Sequence, residues 1–125
     1  TNLYCTGNIV AYSSDIRLKT NIEPIKNSLE KVNALEGFVY NPNELASQIA
    51  SQNINDKHVG ISAQSLQAVL PEAVTLAPFD RDENGNSKSG ENYLAIQYEK
   101  IVPLLIEAIK ELTQEVNMLK QKLNN

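Results

Sequence analysis

The C-terminal end of the chain carries an unbroken heptad repeat, which constrains the fold more than any other feature. Apolar residues recur at alternating spacings of three and four: Val102, Leu105, Ile109, Leu112, Val116, Leu119 and Leu123. A helix that packs only on its own domain drifts towards a 3.6-residue period and a wider stripe, whereas a strict 3.5-residue period is typical of a coiled coil. We therefore predict a coiled-coil helix over residues 98–125. The alternative is a single amphipathic helix packed on its own domain.

The residue types in this repeat favour parallel assembly but leave the number of strands open. The a positions hold Val, Ile and Leu, and every d position holds Leu. In model peptides, β-branched residues at a with Leu at d favour two strands. Glu115 falls at g and Lys120 at the following e, where they can pair between parallel helices. An exposed pair of this kind contributes only about 0–1 kcal/mol, so it can help to select register but cannot drive assembly.

The part before the repeat predicts one small α+β domain. The chain has 125 residues, of which 42% are hydrophobic and 6% aromatic, and a core of this size gives a domain reason to seek partners. Helical spacing predicts a helix over 27–37, which Asn27 or Ser28 can cap, and a short helix inside the polar stretch 41–57. It also predicts a helix over 63–71 with Leu66, Val69 and Leu70 facing inward. Runs of β-forming residues predict strands at 38–42, 58–62, 71–78 and 93–98. We expect the globular domain to span residues 14–97.

Two further segments carry weaker signals. Residues 3–12 are rich in β-forming residues around a Gly-Asn pair, which predicts one or two short strands. Residues 80–92 contain no aliphatic side chain, so we expect a projecting polar loop at about 78–92 with its turn near Asn84-Gly85. The chain begins with Thr1 rather than Met, and we therefore expect it to be part of a longer protein.

Composition argues against several classes of function. The net charge is -4, and the 11 basic and 15 acidic residues are mixed along the chain, which predicts no nucleic-acid partner. The single Cys5 excludes an internal disulfide framework and a zinc site with four thiolates. Asp80, Asp82 and Glu83 lack the spacing of an EF-hand loop, so we predict no metal and no cofactor. No apolar run reaches the roughly 20 residues that span a bilayer, which predicts no membrane partner.

Ser14 and Lys19 are the candidate pair for chemistry. A serine hydroxyl needs a base before it can attack a carbonyl, and a neutral lysine can serve as that base. Since the reference lysine pKa is about 10.4, burial or a nearby cation such as Arg17 would have to lower it. Residues five apart point away from each other in a helix or a strand. The dyad therefore requires a bend between them or packing from a neighbouring chain, and on spacing alone a solvated polar turn is the ordinary interpretation.

Three motifs that follow one another along the chain favour a functional interpretation of residues 14–19. They are SSDIRLKTNI at 13–22, HVGISAQSLQAVLPEAV at 58–74 and YLAIQYEKIVPLLIEAIKEL at 93–112. Together they resemble the peptidase S74 family, the intramolecular chaperones at the C-termini of phage endosialidases, tailspikes, tail fibres and neck appendages. The Ser-Asp-x-Arg-x-Lys motif of that family aligns with Ser14 rather than Ser13, and implies Ser14 as nucleophile and Lys19 as general base. Asp15 and Arg17 match the same motif, and we expect them to shape the bend.

The resemblance implies a function that composition could not show. Members of the family form parallel homotrimers, guide an upstream β-rich stalk to fold, and then cleave themselves off. Residues 1–13 would be the end of that upstream fibre region, and the partners would be two further copies and the fibre itself. Assembly would take place in the host cytoplasm, the parent fibre would join the virion, and the cleaved domain would be released. His58 and Gln64 are weaker candidates for supporting roles, beside ordinary roles at a strand edge and in helix capping.

Two other functions remain open at this point. A trimerisation and folding module that no longer cleaves would share every feature except a working dyad. A regulatory role like that of the myelin regulatory factor would place the domain between a DNA-binding region and a transmembrane segment. The short β segment next to Ser13 favours the phage interpretation over the regulatory one.

Overall fold

Short helices and strands alternate along most of the chain, and one long helix follows them. The computed structural model describes residues 2–125. The helices are α1 (Ser28–Asn33), α2 (Glu44–Ala50), α3 (Ala63–Val69) and α4 (Val102–Asn124), and the strands are β1 (Gly37–Tyr40), β2 (His58–Ile61), β3 (Val74–Leu76) and β4 (Leu94–Ile96). Single 3-10 turns occupy Ile16–Leu18, Pro71–Ala73, Pro78–Asp80 and Tyr98–Lys100. The predicted α+β class and the long C-terminal helix are confirmed.

The strands form two separate antiparallel pairs. β1 pairs with β2, with Gly37 opposite Ile61 and Tyr40 opposite His58. β3 pairs with β4, with Val74 opposite Ile96. Strands β2, β3 and β4 lie within predicted strand segments, whereas β1 begins at Gly37, one residue before its segment. An isolated pair of strands is marginally stable in water. Helix α3 packs against β3 and β4, whereas every residue of β1 is exposed and only Gly60 and Ile61 of β2 are partly buried.

The core lies where α3 meets the two strand pairs and the start of α4. Leu66, Ala73 and Ile101 are buried at its centre. Partly buried residues pack around them: Leu35, Ile61, Val69, Leu70, Val74 and Ile96. The prediction that α3 directs Leu66, Val69 and Leu70 inwards is confirmed. Ser62 begins this helix, because its hydroxyl accepts a hydrogen bond from the Ser65 amide at 3.2 Å.

Helix α4 uses one face for its own domain and leaves another face uncovered. Ile101, Leu104 and Ala108 are buried, and they occupy heptad positions g and c. The seven a and d residues of the repeat are between 41% and 87% exposed. From Leu112 to the end of the chain every residue is exposed. The helix therefore leaves the domain after about three turns, with its apolar stripe unpartnered among the residues that the structure describes.

The first amides of α1 are capped by a side chain of α4 and not by a residue next to them in sequence. Asn27, at the N-cap of α1, has a left-handed backbone (φ 54°) and makes no side-chain capping bond. Glu111 of α4 accepts the amide hydrogen of Ser28 at 2.7 Å and that of Leu29 at 3.4 Å. The first amides of a helix lack partners within the helix, and here a carboxylate 83 residues away supplies one. The sequence prediction of a local cap at Asn27 or Ser28 was wrong, because Asn27 turns its backbone away.

The polar segment 80–92 folds around a buried carboxylate. Asp80 is 3% exposed, and it accepts the Ser87 hydroxyl at 2.7 Å and the amides of Ser89 and Tyr93 at 2.9 and 3.1 Å. A bridge joins Arg81 to Ser87, and the tip turns at Gly85, whose φ is +82°. The predicted turn at Asn84-Gly85 is confirmed, and the aspartate that fixes the loop is one of the residues considered and rejected as calcium ligands.

Residues 3–12 form no strand, so that prediction was wrong. The segment is exposed along its whole length, including Leu3, Ile9, Val10 and Tyr12. A strand requires a neighbouring strand to take its backbone hydrogen bonds. Within the part of the chain that the structure describes, no strand lies beside this segment.

We expect the stability of the domain to fall in acid through Asp80. The Ser87 hydroxyl, followed by the amides of Ser89 and Tyr93, lowers the pKa of Asp80 to about 2 against the opposing effect of burial. Because the pKa of the folded state lies below the ordinary value of 3.8, the contribution is present above that value and is lost as the pH falls towards about 2. Asp80→Asn should lower the urea midpoint at pH 7, and the difference from wild type should shrink near pH 2.

Urea unfolding followed by circular dichroism at the two pH values measures this effect. Glu83→Gln is the matched control, since Glu83 is exposed and makes no side-chain hydrogen bond among residues 2–125. Equal midpoints for Asp80→Asn and Glu83→Gln at pH 7 would contradict the role of Asp80.

Candidate functional site

The segment from Ser14 to Lys19 contains a tight turn. Asp15 is its N-cap, and its carboxylate accepts the Arg17 amide hydrogen at 2.9 Å. The Leu18 amide donates to the Asp15 carbonyl at 3.0 Å, and the Lys19 amide donates to the Ile16 carbonyl at 3.2 Å. A four-residue turn of this type brings Asp15 to within about 7 Å of Leu18, and Ile16 to within about 7 Å of Lys19, closer than these residues would lie in a strand. The predicted bend between Ser14 and Lys19 is therefore present.

An ion pair holds the two supporting residues of the turn together. The Arg17 guanidinium donates from Nη2 to Asp15 Oδ2 at 2.8 Å and from Nε to Asp15 Oδ1 at 3.1 Å. The Arg17 side chain holds the pKa of Asp15 below its usual range, and Asp15 in turn raises the pKa of Arg17. Because the carboxylate compensates the guanidinium charge, Arg17 acts in this structure as a turn-forming residue.

In the single chain Ser14 precedes the turn and Lys19 ends it, and the two side chains are not joined by a hydrogen bond. Both side chains are exposed, and no hydrogen bond connects them among the described residues. Asp15 and Arg17 form the turn within one chain, whereas the alignment of Ser14 with Lys19 on assembly stays a prediction. What this chain lacks is a contact between the hydroxyl and the amine.

The two weaker candidates lie on the globular domain. His58 begins β2, and its ring centroid is 5.6 Å from that of Tyr40. Gln64 lies in the first turn of α3 and accepts the Ser62 hydroxyl at 3.4 Å, so Ser62 and not Gln64 caps the helix. No hydrogen bond in residues 2–125 links either side chain to the turn. Their supporting roles remain predictions.

Gln64 borders a groove between the two strand pairs. Its walls include Phe38, Tyr40, Gly60, Tyr98 and the edge of β4. A Cβ on Gly60 would lie 3.1 Å from Tyr98 Oη and 3.5 Å from Tyr40 Cε1, so a side chain at this position would require the Tyr98 hydroxyl to shift by a few tenths of an ångström. This close approach gives a physical reason for the Val-Gly pair of the second motif.

The geometry of the described residues bears on metal binding and on membrane crossing. In residues 2–125, no three side chains of His, Cys, Asp or Glu lie close enough to hold a metal ion. None of the helices described combines the length and the apolar character needed to cross a membrane.

The structure thus combines a turn between Ser14 and Lys19, a small α+β domain and a long helix with an exposed apolar stripe. Residues 14–75 match the model of the peptidase S74 family, described as chaperone of endosialidase. The chain is a member of this family, as the three motifs predicted.

The relatives include phage fibre proteins. The long tail fiber proteins Gp37 of Enterobacteria phages K3 and T2 are each 40% identical to this chain over 98% of its length. The chain spans only 9% and 8% of those two proteins. Myelin gene regulatory factor-like A of Dictyostelium discoideum is 31% identical over 91% of the chain, which covers 12% of that protein.

Sequence reasoning missed two residues that organise the structure around the site. Asp80 was visible as part of an acidic cluster, but the serines that surround it gave no periodic signal. Glu111 lies in the third motif, but nothing in the sequence indicates that its carboxylate accepts the Ser28 amide.

We expect the turn to depend on Asp15. Asp15→Ala removes both the cap and the partner of Arg17, so the Leu18 and Lys19 amides should exchange with solvent faster than in wild type. Asp15→Asn keeps an oxygen that can accept the Arg17 amide but removes the charge, and should have a smaller effect. Amide hydrogen exchange measured by NMR on the Ser14→Ala chain compares the three. Unchanged exchange in Asp15→Ala would show that the turn forms without this side chain.

Proposed function

We propose that the chain is a self-cleaving intramolecular chaperone that trimerises an upstream β-rich phage fibre and then releases itself next to Ser14. Family membership and the phage relatives support the chaperone role. The exposed a and d stripe of α4 supports assembly, because an apolar stripe of this length on a free helix is stabilised by a coiled coil. The bend between Ser14 and Lys19 supports cleavage, and is the observation that carries this part of the proposal.

The chaperone role has a kinetic basis. Intertwined β-rich fibres have contacts between residues far apart in sequence, so they nucleate slowly and expose edges that aggregate. A C-terminal coiled coil holds the chains together at high effective concentration and in register. Once the chaperone is removed, the persistence of the fibre depends on its unfolding rate. This sequence of events would take place in the host cytoplasm, after which the fibre joins the virion.

The cleavage chemistry follows from the neighbours of Ser14. Neutral Lys19 Nζ takes the proton from Ser14 Oγ, and Oγ attacks the Ser13 carbonyl carbon through a five-membered ring. The Ser13–Ser14 C–N bond breaks, the Ser14 nitrogen takes a proton to become an amine, and an ester joins Ser13 to Ser14 Oγ. Water then hydrolyses the ester to a Ser13 carboxylate and the free Ser14 hydroxyl. Attack on the Ser14 carbonyl would need a strained four-membered ring.

Assembly should depend on the a and d stripe of α4. Ile109 is 63% exposed in the single chain, so Ile109→Lys should leave the fold intact while it places a charge in the seam. We expect association to weaken by roughly 100-fold or more, measured as mass in solution across a dilution series. Gln114→Lys is the matched control, since it adds the same charge at an exposed f position. Equal masses for the two variants would contradict assembly through the a and d stripe of α4.

Cleavage should require Ser14 and not Ser13. Ser14→Ala should slow the release of residues 1–13 by several orders of magnitude, whereas Ser13→Ala should leave it nearly unchanged. Intact-mass analysis of the purified chain measures both the rate and the cut position. A product that begins at Ser14 supports the proposed bond, and one that begins at Asp15 refutes it.

A folding module that does not cleave is the second candidate. The exposed positions of Ser14 and Lys19 and the lack of a bond between them among the described residues favour it. A gel of the chain extended by its upstream fibre sequence, beside the Ser14→Ala version, separates the two functions. Matching single bands from both would leave only the chaperone role. The regulatory role is favoured less, because the phage relatives are more similar to this chain than the Dictyostelium protein is.

A further inference from the structure

The Ser14–Lys19 turn is attached to the domain at one place. Residues 2–24 are exposed throughout, and Ile25 is the first residue after Lys19 that is partly buried. Ser28 follows and is 0% exposed. Its hydroxyl donates to the Ile25 carbonyl at 3.0 Å, which closes a turn just before α1. The position of the cleavage segment relative to the domain is therefore set at residues 25–28.

The chain between this anchor and the turn is restricted. Pro24 fixes its own φ and holds Glu23 in an extended conformation. Asn21 has a left-handed backbone with φ 52°. Glu23 and Pro24 line a cavity together with Leu70, Glu72 and Lys100 of the domain. Asn21 and Pro24 therefore limit the conformations that the connection between the anchor and the Ser14–Lys19 turn can adopt.

Glu111 holds this anchor from the long helix. Its two carboxylate oxygens accept the amides of Ser28 and Leu29, at 2.7 and 3.4 Å. The Ser28 amide, followed by that of Leu29, holds the pKa of Glu111 below its usual range against the opposing effect of burial. The carboxylate is therefore ionised in this contact, and a charged acceptor makes a stronger hydrogen bond than a neutral one.

Glu111 also lies at the point where α4 leaves the domain. It occupies a c position, on the same face as Leu104 and Ala108, and it is the last partly buried residue of the helix. Its neighbours Ile109 and Leu112 are a and d residues of the uncovered seam. The same turn of α4 therefore holds two residues of the a and d stripe and the carboxylate that accepts the Ser28 amide.

We infer that Glu111 is a positioning residue that transmits coiled-coil assembly to the Ser14–Lys19 turn. When the seam closes, the axis of α4 becomes fixed relative to the other chains. The Glu111 carboxylate passes this constraint to Ser28 and through residues 23–27 to the turn. This inference rests on the proposed function, and it assigns to one side chain the dependence of cleavage on assembly.

The first test separates coupling from assembly by the concentration dependence of cleavage. In wild type, the cleavage rate should rise with protein concentration to a plateau reached when all chains are assembled. Glu111→Ala should lower that plateau by roughly 10- to 100-fold, and Glu111→Gln, which retains one accepting oxygen, should lower it less. The concentration at half-plateau should stay unchanged. Rates are measured at a temperature at which circular dichroism shows every variant folded.

Glu107→Gln is the matched control. It removes the same charge from the same helix at an f position, where the carboxylate pairs with Lys110 at 3.2 Å and not with α1. Its plateau and midpoint should equal those of wild type. If Glu111→Ala instead shifts the midpoint and keeps the plateau, Glu111 serves assembly alone and the inference is overturned. An unchanged curve overturns it as well.

A second measurement does not depend on cleavage. In the Ser14→Ala chain, assembly on raising the concentration should slow amide exchange at Leu18 and Lys19. In the Ser14→Ala, Glu111→Ala double variant, assembly should leave that exchange unchanged. If wild type does not cleave but this difference is found, the proposed proteolysis fails and the coupling stands. If both chains respond alike, the coupling is wrong whether or not the chain cleaves.

Discussion

The structure depends on a single helix, α4, which buries one apolar face in its own domain and leaves a second apolar face exposed. The g and c residues of α4 complete the hydrophobic core, while the a and d residues face outwards beside them. A helix has room for both, because residues three and four apart form adjacent rows on its surface. The core fixes about the first three turns of α4, and the remainder extends away from the domain. The core therefore fixes the position of the exposed a and d stripe relative to the globular part.

The candidate site is incomplete in one chain for a physical reason. A lysine acts as a base only when its charged form is disfavoured, which requires burial or an uncompensated cation nearby. In this chain Lys19 is exposed, and the adjacent Arg17 is already paired with Asp15. The backbone turn is thus present in the single chain, whereas Lys19 is not buried.

Sequence patterns predicted most of the elements and the outline of the site. The heptads located α4, and alternating or clustered apolar residues located the four strands and α3. These signals work because burial on one face imposes a period on the sequence. The same reasoning failed at residues 3–12, where β-forming residues are present but no neighbouring strand lies among the described residues to receive their hydrogen bonds. It also failed at the start of α1, where the expected cap was local and the observed one comes from Glu111.

The sequence by itself determined the class of fold, the amphipathic character of α4 and the bend at Asp15 and Arg17, because each depends on residues within a few positions of one another. Tertiary structure alone decided that Asp80 organises the polar loop, that Gly60 lies beneath Tyr98, and that Glu111 holds Ser28 across 83 residues. A hydrogen bond between residues so far apart leaves no period in the sequence. Its partners are brought together only when the core around Leu66 and Leu104 fixes the helices in place.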